Sequence, residues 1–185
     1  MGFFKDMWRK AQCLPTESEI AQSLRELRTQ IDRMKAQADD FDAVNANNDN
    51  EYFKGDMKLG AALRFDMLNY ALHIAASDGV LEQPEVDAIN SFLGVDLTYD
   101  ECLVAINNLG LGGASFSREL PVTFQILSDI SGYPAFGAKQ FAENLIVVDR
   151  MLGTLISSID GDATSQELAD KAKYIKMLER YASTF

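Results

Sequence analysis

The chain has 185 residues, with 28 Asp and Glu against 17 Lys and Arg and a net charge of −11. At 47% apolar residues it is long enough for one domain with a substantial core. So acidic a chain lacks the clustered Lys and Arg that a nucleic-acid backbone requires, so no nucleic-acid partner is expected. Its two cysteines, Cys13 and Cys102, have no metal-like spacing, and Asp100 and Glu101 beside Cys102 disfavour a thiolate nucleophile. No signal-peptide pattern and no run of 18 apolar residues occurs, so the expected compartment is the cytoplasm.

At the start of the chain, Phe3, Phe4, Met7 and Trp8 gather beside Lys5, Arg9 and Lys10. This reads as an arm tucked onto the domain. The other reading is a short interfacial helix, which would make the protein peripheral to the inner face of the membrane. Asp6 stands where a myristoylation signal needs Ser or Thr. Pro15 and Thr16 then open a helix, with Glu19 completing a capping box. Ile20, Leu24, Leu27, Ile31, Met34, Ala38 and Phe41 follow at alternating spacings of four and three, a heptad seam. Its flanks, Ser23, Gln30 and Gln37, carry no charge to choose a partner. Packing on the protein's own bundle is therefore favoured over a homodimer through residues 16–44. The polar stretch Asn45–Glu51 reads as a linker. It divides the chain into 1–50, an arm with an amphipathic helix, and 51–185, a helical domain expected to stay folded without the extension.

Beyond the linker, a helix from about Met57 to Ser77 carries Leu59, Leu63, Met67, Tyr70 and Ile74 on one face, with His73 at its edge. A lone histidine there is more often packed or solvated than a ligand. A helix after Pro84 ends near Gly94, and Thr98 with Glu101 caps another reaching about Asn108. Leu109–Gly113 lacks the strand and lysine of a phosphate loop and reads as a connection. Helices follow over about Ser117–Ile130, Phe136–Ile159 and Ser165–Ser183. The second of these, with Phe141, Leu145, Val148, Leu152, Leu155 and Ile159, is expected at the centre of the core. The last presents Leu168, Ala172, Ile175, Leu178 and Ala182 on one face. Every apolar segment has a period near 3.6, so the fold class is all-α.

One pattern occurs twice. Ile74-Ala75-Ala76-Ser77-Asp78-Gly79 followed by Glu85 returns 82 residues later as Ile156-Ser157-Ser158-Ile159-Asp160-Gly161 followed by Glu167. Each copy can be a helix stop, a turn and a helix start: Gly79 and Gly161 take positive φ freely, Pro84 suits a first turn, and Thr164 with Glu167 makes a capping box. Each copy also matches the second half of a calcium loop, D-G-x5-E, but lacks its first carboxylates. Two half-loops together, with Glu82 and Asp162 as accessory acids, could supply the oxygens of a hard cation, Ca²⁺ or Mg²⁺. Between Arg64 and Arg118 there is no Lys or Arg and there are eight acids over 53 residues. Such a window repels itself unless a cation or a basic partner offsets it, although a solvated acidic face needs neither.

These paired segments resemble the TerB-like domain of bacterial tellurite-resistance and stress-response systems, over roughly residues 56–185. The resemblance implies a bundle of about seven helices with a duplicated helix–turn–helix half. It also implies metal binding at the acidic turns, carried here by Asp78, Glu85, Asp160 and Glu167. Val80 and Pro84 make the first turn less acidic than the second, which puts equal roles in doubt.

Two functions remain open. One is a cation-binding stress-response domain. The other is a metal-free module that docks a basic or helical protein partner, at the membrane surface in one version. No catalytic residue is assigned: a single histidine allows no Ser–His or Cys–His pair, and spacing alone assigns no acid and base.

Overall fold

The computed structural model describes residues 17–46, 57–112, 116, 120–133, 135–157, 159 and 165–185; for 17–24, 166 and 167 it describes the backbone alone. The aromatic arm, the Thr16 cap and the first two seam side chains lie outside the described residues. Among those described, the chain forms seven helices and no strand. They are α1 (Glu17–Asn45), α2 (Leu59–Ala75), α3 (Gln83–Leu93), α4 (Tyr99–Leu109), α5 (Val122–Asp129), α6 (Ala138–Ile156) and α7 (Ser165–Ala182). None is long and apolar enough to cross a membrane. The all-α bundle expected from the 3.6-residue period is what forms.

The centre of the core is α2, not α6. Leu59, Leu63, Met67, Tyr70 and Ile74 are buried as expected, but so are Ala62, Ala71, Leu72 and Ala75 on the other side. A helix buried on nearly every side belongs inside, and α2 packs against each of the other six helices. On α6 only one face is buried, through Phe141, Leu145, Val148, Leu152 and Ile156, while Lys139, Gln140, Glu143, Val147 and Arg150 are exposed. Its sequence looked central because its apolar face is wide.

The described part of the heptad seam packs within the chain. Leu27, Ile31, Met34, Ala38 and Phe41 are all buried in the same core as α2. On the next faces of α1, Arg28 donates to Ser91 O at 3.0 Å and Lys35 donates to Leu93 O. These two cations sit at the C-terminus of α3, which has no basic residue in its last turn. They complement its dipole and supply positive charge to a segment that has none of its own. The compositional break at Asn45 therefore lies between two helices of one core.

Carboxylates from neighbouring helices cap two helix starts. The first N–H groups of a helix have no partner inside it. Lys58 and Pro121, which precede α2 and α5, offer no side-chain cap. Asp42 of α1 accepts from Leu59 N at 2.9 Å and Gly60 N at 2.7 Å. Asp66 of α2 accepts from Thr123 N at 2.6 Å. The second cap explains why α5 opens at Val122, after Pro121, and not near Ser117. Local caps hold elsewhere: Thr98 N donates to Glu101 Oε2 at 2.8 Å, and Gly94 ends α3 at φ +66°.

In α7 the buried stripe is Asp170, Tyr174, Ile175, Leu178 and Ala182, whereas Leu168 is 46% exposed and Ala172 is also exposed. The stripe turns this way because Tyr174 stacks on Tyr70 of α2, ring centroids 4.5 Å apart.

Candidate functional site

The first acidic turn is made by local hydrogen bonds. Gly79 has φ +93°, the conformation that lets α2 end and the chain turn. Asp78 Oδ1 accepts from Val80 N at 2.8 Å, an Asx-type turn. Glu85 Oε2 accepts from Glu82 N at 2.9 Å, so Glu85 holds the start of α3 as a capping-box residue. Asp78 and Glu82 are exposed, and Glu85 is buried. Asp160, Gly161, Asp162 and Thr164 of the second turn lie outside the described residues, as does the side chain of Glu167. Among the described residues no three His, Cys, Asp or Glu side chains come together as a metal-ligand group. The helices after the two turns nevertheless start in register: α3 opens at Gln83 and α7 at Ser165, the same 82-residue offset as the motif.

A second polar constellation lies inside the bundle, and the sequence reading missed it. Asp66, Tyr70 and His73 stand on successive turns of α2, facing Asp149 of α6 and Asp170 and Tyr174 of α7; all six are buried. Burial lifts the Asp149 carboxyl well above the usual range, and nearby Asp66 lifts it further. Burial also raises Asp66, against the hydrogen bonds it accepts at the start of α5. Neither aspartate forms an ion pair with a described residue. Tyr70 Oη, His73 Nε2 and Asp149 Oδ1 are buried without a hydrogen-bond partner among the described residues. The available signal was an acid on the apolar face of a long helix, at Asp66 and again at Asp149.

His73 is packed, as a lone helical histidine usually is. Its Nδ1 accepts from Gly112 N at 3.0 Å, and its ring stacks on Phe116 at 4.2 Å between centroids. This gives the glycine-rich stretch a role: Gly112 has φ +82°, and a Cβ there would meet Ala76 O at 2.6 Å. Burial lowers His73 to about 4, with Asp170 opposing. The folded state thus holds a neutral imidazole where the unfolded chain takes a proton near pH 6.5. More protons bind the unfolded state between those values, so the stability His73 lends is full above pH 6.5 and falls towards pH 4. The loss is on the order of 3 kcal/mol. Asp149 and Asp66 slope the other way, because their raised values favour the folded state as pH falls. Urea unfolding of wild type and His73→Gln at pH 7, 5 and 4 separates the two. The variant should lose clearly less stability on acidification, and equal losses would refute the assignment.

Cys102 is buried, and burial followed by the Glu101 charge raises its thiol, so it is no ready nucleophile. At the surface, α4 is the least buried helix of the bundle. Only Cys102 is fully buried, while Val104 and Leu109 are 56% and 48% exposed. Asp96, Asp100 and Glu101 are exposed around it. Tyr99 Oη donates to Leu81 O at 2.8 Å, which ties the start of α4 to the first acidic turn and its exposed Val80. No family profile, curated protein or solved structure matches the chain.

Proposed function

We propose that the protein is a non-enzymatic acidic interaction domain whose α4 face docks a basic amphipathic helix of a partner protein. The observation that carries this is the exposure of α4: Val104 and Leu109 stand exposed on two sides of the helix, with exposed acids at Asp96, Asp100 and Glu101 around its start, on a segment without a Lys or Arg. Helix-in-groove recognition takes an apolar stripe for affinity, and opposite charge for orientation and rate. The test is calorimetric titration with a synthetic helix of Lys and Leu, with an equally charged Lys and Ser peptide as control. The amphipathic peptide should bind, more weakly at raised salt, and the double variant Val104→Ser, Leu109→Ser should lose about tenfold in affinity. Equal binding of both peptides would reduce the face to non-specific charge and contradict the proposal.

A second reading is favoured by the matched register of α3 and α7 behind the two acidic turns. On it, Asp78, Glu85, Asp160 and Glu167, with Glu82 and Asp162, take Ca²⁺ or Mg²⁺ in a TerB-like stress-response role. Repeating the calorimetry with Ca²⁺ alone distinguishes it. This reading expects saturable binding that Asp160→Asn weakens; the docking reading expects none.

A further inference from the structure

Beside the buried aspartates lies a cavity of about 120 Å³, walled by Asp66, Asn69, Phe65, Phe116 and Tyr174. It is too small for a drug-sized ligand and large enough for a few heavy atoms. Its walls combine three features. Asp66 is 9% exposed, holds α5 with Oδ2, and has no cationic partner among the described residues. Asn69 adds an amide that can accept a hydrogen bond. Phe116 and Tyr174 stack at 5.4 Å between centroids, with His73 continuing the stack and Phe65 40% exposed. Behind the cavity, Asp149 Oδ1, which has no hydrogen-bond partner among the described residues, adds a second buried carboxyl within electrostatic reach of Asp66.

A buried carboxyl beside aromatic rings, with no cationic partner among the described residues, is complementary to one kind of ligand. Aromatic faces attract cations through the ring quadrupole, and a desolvated carboxylate strengthens that attraction. We propose that this cavity binds a primary alkylammonium group, with its nitrogen towards Asp66 and Asn69 and its chain along Phe116 and Tyr174. Either a free alkylamine or a lysine side chain carries that group. Binding recruits the ionised form of Asp66, which burial disfavours in the empty state, so affinity should rise with pH until the Asp66 carboxyl is fully ionised.

The experiment uses the full chain and n-butylammonium chloride, followed by two-dimensional amide NMR, with n-butanol as the uncharged control. Nα-acetyl-lysine amide is the second arm. Butylammonium should shift the amides of Asn69, Phe116 and Val122 saturably, and butanol should bind at least about tenfold more weakly. Asp66→Asn keeps an acceptor for Thr123 N and should lose about as much. Phe65→Leu, at the exposed rim, leaves the core untouched and should weaken butylammonium more than butanol. If only the small amine binds, the source is a free amine; if both bind, the site also admits a lysine side chain. Equal binding of butylammonium and butanol, or no shift at these residues with butylammonium, would overturn the proposal.

Discussion

Deleting residues 1–50 should abolish cooperative thermal unfolding of the remaining chain. The sequence reading expected the opposite, because composition changes at Asn45. The burial of α1 is the ground for predicting otherwise. The deletion uncovers the core where Leu27, Ile31, Met34, Ala38 and Phe41 are buried. Each large side chain contributes about 1.5–3 kcal/mol when fully buried. Four of them approach the roughly 5–15 kcal/mol that is the whole stability of a typical domain. The deletion also removes the Asp42 cap from α2, the central helix, and the Arg28 and Lys35 bonds from the end of α3. The melt followed by circular dichroism should lose its sigmoidal transition. A truncated chain that still melts cooperatively would show that α1 is dispensable to the core.

Gly153→Ala should destabilise the protein by about 1–3 kcal/mol, the cost of overpacking a filled site. Glycine inside a helix ordinarily costs about 0.5–1 kcal/mol relative to alanine, so local propensity alone predicts the opposite sign. Packing decides. A Cβ at Gly153 would collide with Tyr70 Oη, and the Tyr70 ring cannot retreat because Tyr174 is stacked on it. Tyr70→Phe removes that oxygen, which has no partner among the described residues, so this change alone should be close to neutral. The double variant should recover most of the loss, giving a coupling above about 1 kcal/mol in a double-mutant cycle. Additive effects, or stabilisation by Gly153→Ala alone, would contradict the close approach of α2 and α6.

How much was legible follows from how far each signal reaches along the chain. Helices, the Thr98 cap and the Gly94 stop depend on residues within one or two turns, and they were read correctly. The seam through Leu27, Ile31, Met34, Ala38 and Phe41 was also legible, because its period is local. Which helix lies at the centre was not. In sequence, α2 shows one apolar face with His73 at its edge, yet Asp66, Asn69 and His73 are all buried, two of them on hydrogen bonds to distant backbone. Asp66 caps a helix that begins 57 residues later, and no local pattern announces such a partner. The rotation of α7 was hidden for the same reason. Leu168 suggested one face, while the stacking of Tyr174 on Tyr70 set another. The acidic turns divide likewise. Sequence found them as a repeat, and in the first copy Asp78 and Glu85 make local hydrogen bonds where α2 ends and α3 starts.

The docking role of α4 is tested most directly by mapping amide shifts while the basic amphipathic peptide is added. The largest changes should fall on Asp100, Val104, Asn108 and Leu109, with smaller ones at Val80 across the Tyr99 tie. Changes centred on α1 or α7, with α4 unmoved at saturating peptide, would contradict it.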